Sequence, residues 1–168
     1  TSLKSFRKVH DSGGQARALN ELAWVEHLRR HYSEAAEAVE QALALLAEDD
    51  PERGMCYRVQ GMIAIYQRQW QVAEESHRKS LAAFRQQGDE RKAAWAMQNL
   101  ALALRGQKRF DEAIDLFLQA ASTMQKVGDL YHWMIVQLNL GTTYYFDNQL
   151  TEAVHCYRQA ESYAIQFH

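Results

Sequence analysis

Residues 137–160 read QLNLGTTYYFDNQLTEAVHCYRQA, and this stretch decides the fold. Gly141, Ala153 and Ala160 are small residues set 12 and 7 positions apart, on either side of a polar break at Asp147-Asn148-Gln149. The same three columns recur upstream as Ala101, Ala113 and Ala120, as Gly61, Ala73 and Ser80, and as Ala23, Ala35 and Ala42. An aromatic stands three positions before the second small residue (Tyr32, Trp70, Phe110), with Leu150 as the exception. The copies step by 38, 40 and 40 residues. Four columns held in register over four copies make an internal repeat.

Each copy reads as two amphipathic helices around a short break: His31-Tyr32-Ser33, Arg68-Gln69, Gln107-Lys108-Arg109 and Asp147-Asn148-Gln149. A small residue lets two helix backbones approach, and larger neighbours such as Leu100, Phe110 and Phe117 fill the flanking space. One such pair cannot bury its apolar face alone, so stacked pairs are needed for a continuous core.

The joins between copies carry stop and start signals. Gly88-Asp89 and Gly128-Asp129 place a glycine where a helix ends left-handed, then an aspartate as the next N-cap. Asp50-Pro51 offers a cap followed by a residue suited to the first helical position. The pattern predicts nine helices over 1–10, 15–30, 33–48, 51–68, 71–87, 90–106, 110–127, 130–147 and 150–167. Ser2, Leu3, Phe6 and Asp11 match Ser80, Leu81, Phe84 and Asp89 at a constant offset of 78, so 1–14 reads as the tail of a preceding copy. The chain is expected to be a single solenoid over 1–168, with repeats at about 15–50, 51–88, 89–128 and 129–168, cut from a longer array. Leu3, Phe6, Ile165 and Phe167 would then be apolar surface at cut ends and favour self-association.

Composition agrees. The 168 residues are 47% apolar, with 24 Ala and 16 Gln against 8 Gly and 1 Pro, a balance that favours helix over sheet. Nineteen Lys and Arg against 21 Asp and Glu leave no basic excess for nucleic acid. No apolar run approaches a membrane span. Cys56 and Cys156 lie 100 residues apart and form no disulfide framework, which points to a reducing cytoplasm.

These columns resemble the tetratricopeptide repeat. Its W-x2-L-G-x2-Y, A-x3-F and closing A pattern matches Gln137-x2-Leu140-Gly141-x2-Tyr144, Ala153-x3-Tyr157 and Ala160. Met97-x2-Leu100-Ala101-x2-Leu104 with Ala113-x3-Phe117 is close, while Tyr57-x2-Gln60-Gly61 and Leu19-x2-Leu22-Ala23 lose the later Tyr. The closing Pro is absent and the spacing is about 40 rather than 34. This longer type is similar to arrays in bacterial signal-transducing NTPase and transcriptional regulators, peptide-sensing regulators, kinesin light chain and spindle-orientation adaptors. The resemblance implies an all-α, right-handed α-solenoid, and a concave groove lined by the first helix of each pair.

On that reading the groove-facing columns are Arg17, Met55, Trp95, Ile135; Asn20, Arg58, Gln98, Leu138; Glu21, Val59, Asn99, Asn139; Trp24, Met62, Leu102, Thr142; and His27, Ile65, Arg105, Tyr145. Two of the four Asn in the chain, Asn99 and Asn139, share one column in adjacent copies. Their amides carry both donor and acceptor, and in similar peptide-binding arrays such an Asn grips the ligand backbone. Trp95, Met62, Leu102 and Ile135 would add apolar contact. Arg58 and Arg105 would take a carboxylate in a bidentate fork, unless each pairs with an acid of its own protein.

Other constellations carry less. His27 and His31 have an i, i+4 spacing, but no metalloprotease motif surrounds them, and they read as a solvated pair. Cys156 beside His155 reads as a packed thiol. Carboxylate pairs such as Glu74-Glu75 read as surface charges, and no phosphate-binding, dinucleotide or nucleophile-elbow motif occurs. The expectation is therefore a non-enzymatic, cofactor-free cytoplasmic module that binds a protein or extended peptide, without nucleic-acid or membrane contact. It would be part of a larger bacterial regulatory protein. The alternative is a small-ligand or signal-sensing domain of a transcriptional regulator, recognisable by a closed cavity of a few hundred Å3.

Overall fold

The structure, a computed structural model, describes residues 11–166. The helix expected over 1–10, and with it Leu3, Phe6 and Phe167, lies outside the described residues. Eight α-helices and no strand are found among them: α1 (Ser12–Leu28), α2 (Tyr32–Leu45), α3 (Arg53–Tyr66), α4 (Trp70–Gln86), α5 (Glu90–Gly106), α6 (Phe110–Lys126), α7 (Leu130–Phe146) and α8 (Leu150–Gln166). They pair as α1–α2, α3–α4, α5–α6 and α7–α8. The chain forms two compact units, one running to Gln87 and the other starting at Gly88. In the first unit α3 packs on both α1 and α2, and in the second α7 packs on both α5 and α6.

The three small-residue columns are buried in every copy. Ala23, Ala101, Ala35, Ala73, Ala113, Ala42, Ser80 and Ala120 are wholly inaccessible, and Gly61, Gly141, Ala153 and Ala160 are buried too. Phe84 and Phe117, both closed off from solvent, fill the space beside these crossings.

Two of the three predicted starts form as read. Asp89 accepts from the Lys92 amide at 2.9 Å and Asp129 from His132 at 3.3 Å, each three residues into its helix. The backbone bond from Lys92 leads the effects that hold the Asp89 carboxyl below its usual range. Asp50 Oδ1 accepts from the Glu52 amide at 2.9 Å. Arg53, Gly54 and Met55 then bond three residues back, so the regular helix begins at Arg53 rather than at Pro51.

The breaks inside each copy fall where they were read, but their left-handed backbone was not predicted. Arg30, Arg68, Lys108 and Asn148 all take positive φ, between 58° and 65°. In each, the left-handed residue bonds three back and the next bonds five back, as in Lys108 to Arg105 O (2.9 Å) and Arg109 to Leu104 O (3.0 Å). This is the Schellman closure, made without glycine. Gly88 and Gly128, the predicted stops, adopt the same φ at 67° and 73°.

Candidate functional site

In the second unit the first helices of the two pairs are α5 and α7, and they carry Trp95, Asn99, Leu102, Arg105, Ile135 and Asn139. Arg105 reaches from α5 to α7, where its Nη1 donates to the Asn139 backbone carbonyl at 3.3 Å. That oxygen also accepts from Thr143 Oγ1 at 2.8 Å. Burial lowers the Arg105 pKa, with Tyr157 acting the other way. Arg105 therefore makes no pair with a carboxylate among the described residues.

The two asparagines of the expected ladder differ. Asn139 is half-buried, and its Nδ2 donates to the Ile135 carbonyl of its own helix at 3.1 Å. Asn99 is 8% exposed, and no hydrogen bond to its amide is found among the described residues. One amide is thus partly committed and the other is unspent. Leu102 and Ile135 are half-buried.

Trp95 has a different setting from a free apolar anchor. Its Nε1 donates to Asp129 Oδ2 at 3.1 Å, and its ring lies 5.0 Å from that of His132. His132 Nδ1 also meets Asp129 Oδ1 at 2.8 Å. Burial alone would raise the Asp129 carboxyl, but the bonds from His132 and Trp95 outweigh it and hold it below the ordinary value. Trp95 thus ties α5 to the cap of α7.

In the first unit the corresponding helices are α1 and α3. Arg58 lies with its guanidinium carbon 5.0 Å from the Trp24 ring centroid. Met62, one turn further along α3, is half-buried. His27 stacks 5.3 Å from Trp24 and meets the edge of Tyr66 at 4.7 Å. It is 4% exposed, and burial first and Arg58 second lower its pKa. His31 instead meets Glu26 Oε2 at 2.8 Å. The solvated His27/His31 pair expected from the spacing is therefore corrected: the aromatic cluster takes His27 into the core and leaves His31 outside. No group of three or more His, Cys, Asp or Glu among the described residues is placed to hold a metal. Cys56 and Cys156 are buried free thiols, both with raised pKa, Cys56 up to about 11, in each case through burial first.

One of the groove-facing columns read from the sequence holds Asn20, Arg58, Gln98 and Leu138, and three of its side chains have buried polar atoms that spacing could not reveal. Asn20 Oδ1 and Arg58 Nε in the first unit, and Gln98 Oε1 in the second, are buried atoms with no hydrogen-bond partner. These residues occupy one repeat position, and a polar side chain kept there in three copies was the available signal.

A tetratricopeptide-repeat family model matches residues 55–126 and 94–166. The chain is a tetratricopeptide-repeat protein. No curated protein sequence matches it. Among solved structures, the repeat chain resembles BtubC (BKLC) from P. vanneervenii at 22% identity and a TM-score of 0.84, covering 99% of this chain and 71% of that one. Aspartyl phosphate phosphatase F from Bacillus subtilis is similar at 12% identity and a TM-score of 0.85, covering 98% and 44%. A putative kinesin light chain of Podosopora anserina with nearly identical TPR-like repeats follows at 21% and 0.76, covering 90% and 76%. The tetratricopeptide chain thus spans under half the length of the phosphatase. These likenesses establish the fold, an all-α repeat solenoid. No helix among the described residues is long and apolar enough to cross a membrane.

Proposed function

We propose that this tetratricopeptide-repeat chain is a non-catalytic scaffold that binds a protein or extended peptide segment, within a larger bacterial cytoplasmic regulatory protein. The observation that carries the reading is the first-helix face of the second unit. There Asn99 keeps an unspent amide, and Arg105 is tied only to a backbone carbonyl. A peptide backbone offers the donor and acceptor that such an amide needs, and an acidic side chain suits the guanidinium. Leu102 and Ile135 supply apolar contact beside them. The non-catalytic reading is supported by the work the carboxylates already do: Asp89 and Asp129 cap helices, Glu112 pairs with Arg109 and Glu74 with Arg78. Kinship of fold with a protein named as a phosphatase does not transfer that activity.

A second reading, the small-ligand sensor, has one observation in its favour. A hollow of about 480 Å3, open to solvent, lies among α6, α7 and α8, with Leu118, Leu140, Tyr144 and Cys156 against Glu152 and His155. That volume suits a small organic ligand.

The test is selection of binding peptides on the purified chain, then titration against Asn99→Ala, Arg105→Ala and Asn139→Ala, with circular dichroism confirming each fold. Asn99→Ala is expected to cost about 1–3 kcal/mol of binding where its partners stay buried and unpaired. Asn139→Ala should cost less, because its amide already bonds Ile135. Unchanged affinity in all three places the binding site elsewhere. Competition by a small molecule held in the α6–α8 hollow would favour the sensor.

A further inference from the structure

The hollow among α6, α7 and α8 lies wholly within the second unit. Its floor includes the buried Leu140 and Cys156, and the exposed Leu118 stands beside them. Gln137 also lines it, and this residue is only 6% exposed. The same repeat position holds Leu19, Tyr57 and Met97 in the other copies, so an amide here is a departure from the repeat. No hydrogen bond to that amide is found among the described residues, yet neither of its polar atoms is fully enclosed. The group therefore opens on the hollow. A buried amide without a protein partner is unfavourable unless water or a ligand answers it. The charge around the hollow has one sign. Glu152 lines it and Asp115 lies near, and neither makes a salt bridge among the described residues. No Lys or Arg lines it, and His155 is the remaining ionisable group at its rim. The Tyr144 hydroxyl feels this field: its pKa is raised by burial first, and then by Cys156, Glu152 and Asp115.

We propose that this hollow binds a small organic amine as its ammonium ion, with the apolar body on Leu118 and Leu140 and the nitrogen among Gln137, Tyr144 and Glu152. An ammonium brings up to three donors and no acceptor. Gln137 Oε1, Tyr144 Oη and the Glu152 carboxylate can each accept one, and all three are unspent among the described residues. An anion in the same place would meet Glu152 with no cation to offset it, and a neutral ligand would leave that acid unanswered. An apolar floor with a few convergent polar groups is the usual make-up of a small-molecule site. The inference rests on the small-ligand reading of this hollow and names the class of ligand. It is independent of the first-helix face, because the Asn99, Arg105 and Asn139 variants do not alter any residue that lines the hollow.

The test is NMR titration of the full 15N-labelled chain, reading the Gln137 side-chain amide signals. The probes are phenethylamine, phenethyl alcohol and phenylacetate, which carry similar apolar bodies and differ in charge. The amine should move those signals saturably and bind about three- to tenfold more tightly than the alcohol, with phenylacetate the weakest. Added salt should narrow the gap between amine and alcohol, because Glu152 is exposed. Glu152→Gln should remove the amine's advantage and spare the alcohol, whereas His155→Gln should leave the advantage in place. Cys156→Leu, which introduces the residue type found one copy earlier at Leu116, should fill the floor and block all three probes. Alcohol or phenylacetate binding as tight as the amine, or an amine advantage that survives Glu152→Gln, overturns the ammonium assignment and leaves the small-ligand reading of the hollow standing. Unmoved Gln137 signals with all three probes overturn both. The comparison of charges uses the unaltered protein, so it decides the matter even if Cys156→Leu fails to fold.

Discussion

Gly61 lies directly against the imidazole of His77: a Cβ added to Gly61 would fall 2.5 Å from both Cε1 and Nε2 of that ring. Gly141 stands in the same relation to Tyr157, whose Cε1 would be 2.9 Å away. The copies with Ala at this position, Ala23 and Ala101, have Val39 and Phe117 sixteen residues on. Glycine serves here as room for the His77 and Tyr157 rings rather than as a turn, while the Phe117 ring is accommodated opposite an alanine. Gly61→Ala should cost about 1–3 kcal/mol by overpacking. Chemical denaturation measures it, and Gly61→Ala combined with His77→Ala should recover part of the loss. A Gly61→Ala protein as stable as the parent would show that the ring moves aside freely.

His77 makes stability depend on pH. It is wholly buried, and neither ring nitrogen has a hydrogen-bond partner; its contact with the Gly61 backbone falls short of hydrogen-bond geometry. Burial first and Arg58 second push its pKa from 6.5 down to about 3. Between those values the unfolded chain binds a proton that the folded chain does not. Its contribution is therefore complete above the unfolded pKa and is lost as pH falls from 6.5 toward 3. The slope should approach about 1.4 kcal/mol per pH unit in that window. His27, shifted the same way, adds to it. Urea midpoints at pH 7.5, 6 and 5 should fall more steeply for the parent than for His77→Leu; parallel curves would clear His77 of the effect.

Lys108 is exposed and left-handed, at φ 63°. A side chain in that region costs about 1–2 kcal/mol relative to right-handed backbone. Lys108→Gly should stabilise the α5–α6 turn by a few tenths to about 1 kcal/mol, because the relief exceeds the extra freedom that glycine brings to the unfolded chain. A rise in melting temperature measures it. Gly88→Ala, with open space around its Cβ but φ 67°, should move the other way.

The Trp95–Asp129 bond separates a clamp from an anchor. Trp95→Phe removes the 3.1 Å donor while keeping a ring over His132. It should lower stability by about 0.5–1.5 kcal/mol and leave affinity for a selected peptide unchanged. A double-mutant cycle with Asp129→Asn should show coupling between the two. A large loss of affinity with intact stability would restore Trp95 as a binding anchor.

The repeat itself could be read from residues. Ala35, Ala73, Ala113 and Ala153 recur because a helix crossing admits nothing larger, so their spacing states the pairing before any coordinates do. Gly88-Asp89 and Gly128-Asp129 likewise write a stop and a start into the chain. Three of the four non-glycine left-handed residues could not be found this way, since Arg30, Arg68 and Lys108 carry no local preference for that conformation, whereas Asn148 is of a type enriched there. Their conformation is imposed when two helices must fold back on each other.

The chain's own order of residues determined the all-α class, the number of pairs, the buried columns and the capped starts, because each depends on neighbours a few positions apart. Only the tertiary structure decided which groove-column side chains are already spent. Asn139 bonds its own helix, Trp95 bonds the next cap, and Arg58 lies on Trp24 with an enclosed Nε that nothing answers. Hydrogen-bond satisfaction depends on groups brought together from distant parts of the chain. A polar column can therefore be read from sequence, but which of its atoms are left wanting a partner cannot.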